Sequence, residues 1–245
     1  MLRIGPPLVW ALGSVAVVAV SGVPTARDVL LVWLLTGMLA FSASDIRRRL
    51  PRLVVEWAPF IAILLVYDLL RGYADGLLFP AHELPQIKLE NALFGTPAPT
   101  VWLQSHLWRP DHLHWWDYAA WFVYLTHFLA TLIAAAVLWT FAHSRFARYA
   151  TMVCALAVVG FLTYVLFPAV PPWLAAQHGN LGESNRIIPI AWRHIPIGHF
   201  NTLFEEGVHY ANNVAAIPSL HAGYALLFPL YLWALVPRWA RPLLA

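Results

Sequence analysis

The sequence predicts an all-α fold, a polytopic bundle of membrane-spanning helices, and three observations support this prediction. Of the 245 residues, 60% are apolar and only 11% are charged, whereas a soluble domain carries about 25% charged residues. The mean hydropathy is +0.64. The apolar residues also gather in long runs. A water-soluble protein of this size cannot bury so much hydrocarbon, so soluble enzymes, secreted scaffolds and disordered regulators are excluded.

Six of these apolar segments are long enough to cross about 30 Å of hydrocarbon as helices. Strands are not predicted, because the sequence lacks the alternation of apolar and polar residues that membrane strands show. In chain order, the predicted spans are Pro7–Val23, Val29–Ala43, Leu53–Leu70, Trp115–Phe141, Tyr149–Pro168 and Asn213–Val236.

The basic residues predict how these spans are oriented. Fifteen Lys and Arg against twelve Asp and Glu give a net charge of +3, and every basic residue except Lys88 is an arginine. Most lie beside apolar spans, which indicates membrane orientation rather than phosphodiester binding, so no nucleic-acid partner is predicted. With six spans, one side of the membrane receives Arg3, Arg47, Arg48, Arg49, Arg52, Arg145, Arg148, Arg238 and Arg241. That side is predicted to be cytoplasmic and to carry both termini.

The two long loops, Arg71–His114 and Val170–Asn212, then face outward from a multi-pass protein of the cell membrane. The second loop leads into the segment His209–Tyr224, which enters the sixth predicted span from the outside. Pro218 suits a first helical turn, because its missing N–H is not needed there. We therefore expect the side chains that follow this proline to lie in the first turns of a membrane helix.

Two of those side chains suit phosphate chemistry. The start of a helix offers N–H groups and a positive dipole end, which together bind anions, and Ser219 adds a hydroxyl donor. His221 titrates near neutral pH and can donate a proton to a departing oxygen. Gly223, which has no side chain, lets a backbone or a lipid approach closely. The alternative is that Ser219 and His221 only cap the helix.

The outer loop adds candidate phosphate ligands. Arg186 and Arg193 can hold phosphate oxygens in a forked geometry, although plain solvation explains them equally well. Asn213 can contact a ligand, but capping is its commoner role. The run Asp111–His114 has loose spacing for a metal and no thiolate, so a solvated interfacial run is predicted. No metal and no cofactor are predicted.

Four short motifs resemble a known family. Pro218-Ser-Leu-His-Ala-Gly resembles the second signature of the type-2 phosphatidic acid phosphatase superfamily. Phe167-Pro-Ala-Val-Pro-Pro-Trp173 is similar to an element of its inositol phosphorylceramide synthase-like branch. Tyr124-Leu-Thr-His-Phe128 and the run Gly95–Gln104 are similar to the same branch. The resemblance covers about two thirds of the chain. It implies one membrane domain over 1–245, with N-terminal helices in 1–70 and a phosphatase-like core in 71–245.

The resemblance implies metal-independent phosphoryl transfer on a phospholipid or an isoprenoid or sphingolipid phosphate at the outer leaflet. In the family, a histidine of a third signature attacks phosphorus to form a phosphohistidine, and an aspartate orients that histidine. The histidine of the second signature protonates the departing alkoxide. His221 matches that general acid, and Ser219 matches the serine that contacts phosphate. The reaction is either hydrolysis or transfer of a phospho-alcohol headgroup.

The sequence departs from the family pattern in two places. The lysine-plus-arginine first signature is absent, since Lys88 has no Arg-Pro at the needed spacing. After His221 the sequence has neither another histidine nor an aspartate, so the third signature is missing. We therefore expect a chain that is incomplete at its C-terminus or has little turnover, with His209 a weak substitute nucleophile. The competing hypothesis is a non-catalytic protein that binds or transports lipid headgroups.

Overall fold

The computed structural model describes residues 4–21, 27–71, 78–194, 214–233 and 235–239. This part of the chain is helical, so the predicted all-α class is confirmed. A 3-10 turn, Ala43–Asp45, joins the second and third α-helices. The described helices are α1 (Gly5–Ser21), α2 (Arg27–Phe41), α3 (Ile46–Arg71), α4 (Leu84–Phe94), α5 (Pro99–Leu107), α6 (Trp115–Phe141), α7 (His143–Leu166), α8 (Pro172–Gln177), α9 (Ile187–His194) and α10 (Leu220–Trp233).

Two helical segments among the described residues are long and apolar enough to cross a membrane alone, Ala43–Leu70 and His143–Leu166. α6 bends by 47° between Trp115–Tyr124 and Leu129–Phe141, and it makes a third span if both parts cross together. α1 and α2 are apolar but shorter. These lengths fit a helical membrane protein. The six spans and the cytoplasmic termini stay predictions.

Several predicted boundaries were wrong. The third span was predicted to begin at Leu53, but α3 begins at Ile46 because its basic first turns are helical as well. α7 likewise begins at His143 rather than Tyr149. The sixth span was predicted to begin at Asn213, but α10 begins at Leu220, and Pro218 precedes the helix instead of lying in its first turn.

The core lies where α6 meets α2, α7 and α10, while α3 packs against α7. Ala134, Ala135 and Ala136 on α6 are buried, and small residues of this kind let membrane helices approach closely. Large aromatic side chains fill the contact between α3 and α7, where the rings of Trp57 and Phe146 stack 5.6 Å apart. The N-terminal helices therefore pack directly on the segments that carry the family-like motifs.

A polar contact ties three helices together at the end of the bundle where α7 begins. The indole N–H of Trp139 on α6 donates to Glu56 on α3 over 2.7 Å. His143, the first residue of α7, places its Nε2 3.1 Å from the other carboxylate oxygen of Glu56. A carboxylate within an apolar helix needs such partners, so this contact fixes the relative position of α3, α6 and α7.

α7 and α10 run antiparallel and contact each other along most of α10. A Cβ atom placed on Gly160 of α7 would lie 2.7 Å from a methyl carbon of Leu220, at the start of α10. Near the other end of α10, the Tyr231 hydroxyl donates to the carbonyl of Arg145 over 2.8 Å. The start of α10 is therefore set by its packing against the end of α7.

Candidate active site

His221 lies in the first turn of α10, two positions after the residue that caps the helix start. The N–H of Ala222 donates to the Ser219 hydroxyl oxygen over 3.3 Å, so Ser219 caps α10, which was the alternative role considered for it. Both Ser219 and His221 are exposed. A capping hydroxyl accepts with its oxygen and keeps its own proton to donate, so capping is compatible with a contact to an anion.

The imidazole of His221 is held by Tyr124 of α6. The Nε2 atom lies 3.1 Å from the phenol oxygen of Tyr124. The two rings also lie nearly parallel, with centroids 5.1 Å apart and 21° between their planes. Tyr124 is the last residue before the bend in α6. The bend and the start of α10 therefore meet at the histidine, and the tyrosine fixes the plane of its ring.

Sequence reasoning missed the pairing of Tyr124 with His221. The two residues are 97 positions apart, so no local periodicity connects them. The only available signal was that Tyr124 begins one of the family-like motifs, Tyr124–Phe128. The other side chains of that motif lie outside the described residues.

Tyr164 of α7 anchors the turn that precedes α10. Its hydroxyl donates to the carbonyl of Pro218 over 2.8 Å, and its ring is buried. The bond lies one residue before Ser219, so it holds the cap of α10 against the C-terminal end of α7.

Backbone hydrogen bonds join the Phe167–Trp173 motif to the segment just before α10. The N–H of Ala169 donates to the carbonyl of Val214 over 2.7 Å, and the N–H of Ala216 donates to the carbonyl of Ala169 over 3.1 Å. On the opposite side, His82 bonds to Pro168 and Val170 through its own N–H and carbonyl. Three chain segments thus lie side by side, and the middle one is buried.

Arg186 is positioned by the Gly95–Gln104 motif and by Trp173. The side-chain amide of Gln104 donates to the carbonyl of Asn185 over 3.1 Å and accepts from its N–H over 2.7 Å. The guanidinium of the next residue, Arg186, lies 5.4 Å from the centre of the Trp173 ring. A guanidinium over an aromatic face is attracted to the ring without using its N–H donors, so these donors can bind phosphate oxygens.

The remaining predicted site residues are only partly described. Arg193 belongs to α9, which packs against α6, but its side chain lies outside the described residues, as does Asn213. Gly223 faces α7, where a Cβ atom would lie 3.2 Å from a methyl carbon of Leu156. That position therefore serves the contact between two helices, and its predicted role in admitting a lipid stays a prediction.

The described histidines of the long loop Arg71–His114 contact aromatic rings. His114 stacks on Trp116 with ring centroids 4.3 Å apart, and the His112 ring lies against His114. His106 stacks on Trp102. Across the described ranges, no group of three or more His, Cys, Asp or Glu side chains is arranged to hold a metal ion.

Comparison with known proteins identifies relatives of this chain. The sequence model of the PAP2 superfamily matches residues 88–245. The chain is also 27% identical, over 192 residues, to a phosphoinositol dihydroceramide synthase of Bacteroides thetaiotaomicron. That match covers 74% of this chain but only 60% of the relative. No solved structure matches the chain. The four motifs that carry the resemblance all lie within or at the edge of the described site.

Proposed function

The chain belongs to the PAP2 superfamily, and from that premise we propose that it is a membrane-embedded lipid phosphatase or phosphotransferase. In this proposal it acts on phosphate-bearing lipids at the outer leaflet, and His221 is the general acid. One observation carries the proposal: an exposed imidazole, held by Tyr124, stands at the capped start of a helix in the family-matched region. The choice of leaflet rests on the distribution of arginines between the loops.

The proposed role of His221 is to protonate the departing oxygen. When the bond between phosphorus and that oxygen breaks, the electron pair stays on the oxygen, which would leave as a poor alkoxide. A proton from the imidazolium neutralises it, and a positioned group of this kind contributes about 10²- to 10⁴-fold to the rate. The phosphoryl group ends on the oxygen of an acceptor water in hydrolysis and on the hydroxyl oxygen of an acceptor lipid in headgroup transfer, and the proton that the acceptor loses restores the imidazolium.

Phosphate binding is proposed to involve the start of α10 and the arginine side chains of the outer loop. The Ser219 hydroxyl and Arg186 can donate hydrogen bonds to phosphate oxygens, and Arg193 and Asn213 are further proposed ligands. Donors aimed at the transferring group stabilise the charge that builds up on it. Two contacts support this arrangement. The backbone bonds of Ala169 restrict the segment before α10, and the contact with Trp173 restricts the guanidinium of Arg186.

The activity is tested with the full-length natural protein reconstituted in proteoliposomes. One preparation of proteoliposomes contains labelled phosphatidic acid, and a second contains a phosphoinositol-bearing lipid together with dihydroceramide as acceptor. We expect either release of phosphate or formation of a new headgroup lipid, inhibited by vanadate, which mimics the transferring phosphoryl group. Binding of these lipids without turnover and without a covalent phospho-adduct would instead support the headgroup-binding alternative.

Tyr124 is proposed to position His221 rather than to touch the substrate. Tyr124→Phe keeps the ring stacking and removes the hydrogen bond to Nε2, so we expect turnover to fall by about 3- to 10-fold, the equivalent of one ordinary hydrogen bond. We expect KM to stay unchanged, because in this proposal Tyr124 does not touch the substrate. Tyr118→Phe, at an exposed tyrosine on the same helix, is the matched control. Equal effects of both variants would contradict the assignment.

A further inference from the structure

A pocket lies between α7 and α10 at the end of the pair opposite His221. Its volume is about 570 Å³, which is within the range of small-molecule sites. At a rise of about 1.5 Å per residue, His221 and Tyr231 are about 15 Å apart along α10, so this pocket is separate from the candidate active site. Its walls include Ser144, Arg145, Arg148, Met152, Leu230 and Leu235.

The pocket has a cationic rim and an apolar wall. Arg145, Arg148 and the hydroxyl of Ser144 come from the first two turns of α7, whereas Met152, one turn further along, and Leu230 of α10 are apolar. Both arginines are exposed. Among the described residues, no carboxylate forms an ion pair with either guanidinium. The positive charge of this rim is therefore not neutralised by those parts of the chain.

The rim is held in place by α10. The Tyr231 hydroxyl donates to the backbone carbonyl of Arg145 over 2.8 Å, and the Tyr231 ring contacts Tyr149 with centroids 5.0 Å apart. These contacts use the backbone of Arg145 and leave its guanidinium to other partners. Arg145 and Arg148 are also three positions apart on one helix, so their side chains emerge on the same face.

We propose that this pocket binds an anionic phospholipid, with the phosphate between Arg145 and Arg148 and an acyl chain along Met152 and Leu230. Two guanidiniums suit the geometry of a phosphate group better than a single point charge does. Basic pockets between membrane helices bind anionic headgroups in this way. The adjoining apolar wall favours a lipid over a free phosphate ion, because burying an acyl chain against it removes hydrocarbon from water.

The proposal is tested on detergent-purified protein titrated with phosphatidylglycerol, phosphatidylcholine or inorganic phosphate. Thermal unfolding and native mass spectrometry measure the binding. We expect phosphatidylglycerol to bind at least ten times more tightly than phosphatidylcholine, and inorganic phosphate to give no shift of the unfolding midpoint. Equal shifts with the two lipids, or a shift with phosphate as large as that with phosphatidylglycerol, would overturn the proposal.

Paired charge variants distinguish a pocket from general surface charge. Arg145→Gln with Arg148→Gln should lower the affinity for phosphatidylglycerol at least tenfold. Arg47→Gln with Arg48→Gln removes the same charge from exposed positions in the first turn of α3, outside the pocket lining, and should change the affinity less than twofold. Equal losses in the two double variants would refute a defined site.

A variant that keeps both charges tests the apolar wall. Met152→Trp fills space in the pocket, so we expect it to reduce phosphatidylglycerol binding at least fivefold while Arg145 and Arg148 remain. Unchanged binding in this variant would overturn the placement of the acyl chain. Should the double arginine variant not unfold cooperatively, Arg148→Gln alone and Met152→Trp still decide the question, because each changes a single side chain of the lining and should by itself weaken phosphatidylglycerol binding.

Discussion

His221→Ala is expected to lower the turnover of lipid phosphates by about 10²- to 10⁴-fold, the contribution of a positioned general acid. The side chain is exposed, so its removal gives up the contact with Tyr124 but opens no cavity in the core, and we expect the thermal unfolding midpoint to fall by only a few degrees. Steady-state assays in proteoliposomes, with the unfolding midpoint measured on the same preparations, check both expectations. Turnover that survives the substitution would remove His221 from the mechanism.

The leaving group provides a sharper test of the proposed role. A substrate whose leaving group is a stable anion, such as a nitrophenyl phosphate ester, does not need a proton when it departs. We therefore expect His221→Ala to lose far less activity on that ester than on a lipid with an alkoxide leaving group. Equal losses on both substrates would instead assign His221 to phosphate binding.

Substitution of a second exposed histidine, His194, is the control that shows whether the loss of turnover is specific to His221. His194 is exposed at the end of α9, where its Nδ1 lies 2.9 Å from the carbonyl of Ile190. His194→Ala removes an exposed imidazole that is not assigned to the chemistry, so it should leave stability within about 0.5 kcal/mol and turnover within about twofold. A loss as large as that of His221→Ala would support the weaker hypothesis that an upstream histidine takes part in the chemistry.

The local half of this candidate site could be predicted from the sequence, and the long-range half could not. Ser219 and His221 are two positions apart, so a helix start with a cap and a histidine is a local pattern. Tyr124 and Tyr164 reach the same turn from other helices. Such contacts depend on how the helices pack against each other. The hydropathy of a single segment carries no information about that packing.

The wrong start predicted for the last helix has a similar cause. Val214–Ile217 is an apolar run directly before the helix, and its hydropathy alone favours including it in the membrane span. In the structure, the backbone groups of Val214 and Ala216 bond to Ala169, more than forty positions earlier. Because these backbone groups are satisfied by a distant segment, the helix begins only after the cap at Ser219. Periodicity cannot reveal a pairing of that kind.

Gly160→Val is expected to destabilise the protein by roughly 1–3 kcal/mol, the usual cost of overpacking a close contact. A Cβ atom at this position would lie 2.7 Å and 2.9 Å from the methyl carbons of Leu220, and valine adds two further methyl groups. Leu220 must then move, and it directly precedes His221. We expect turnover to fall as well, because a displacement of about 1 Å at a catalytic group can lower the rate about 100-fold.

A double variant distinguishes a displacement of His221 from a general loss of stability. Leu220→Ala removes the methyl groups that the new valine would meet, so the Gly160→Val and Leu220→Ala combination should recover stability relative to the additive sum of the single variants. Gly13→Val is the control, since nothing lies within 4 Å of a Cβ atom there. If the double variant recovers the unfolding midpoint but not turnover, the Leu220 side chain itself is needed to hold His221 against Tyr124.

Strictly additive losses of stability would show that Gly160 and Leu220 are not coupled. The packing of α7 against α10 would then not determine the position of His221.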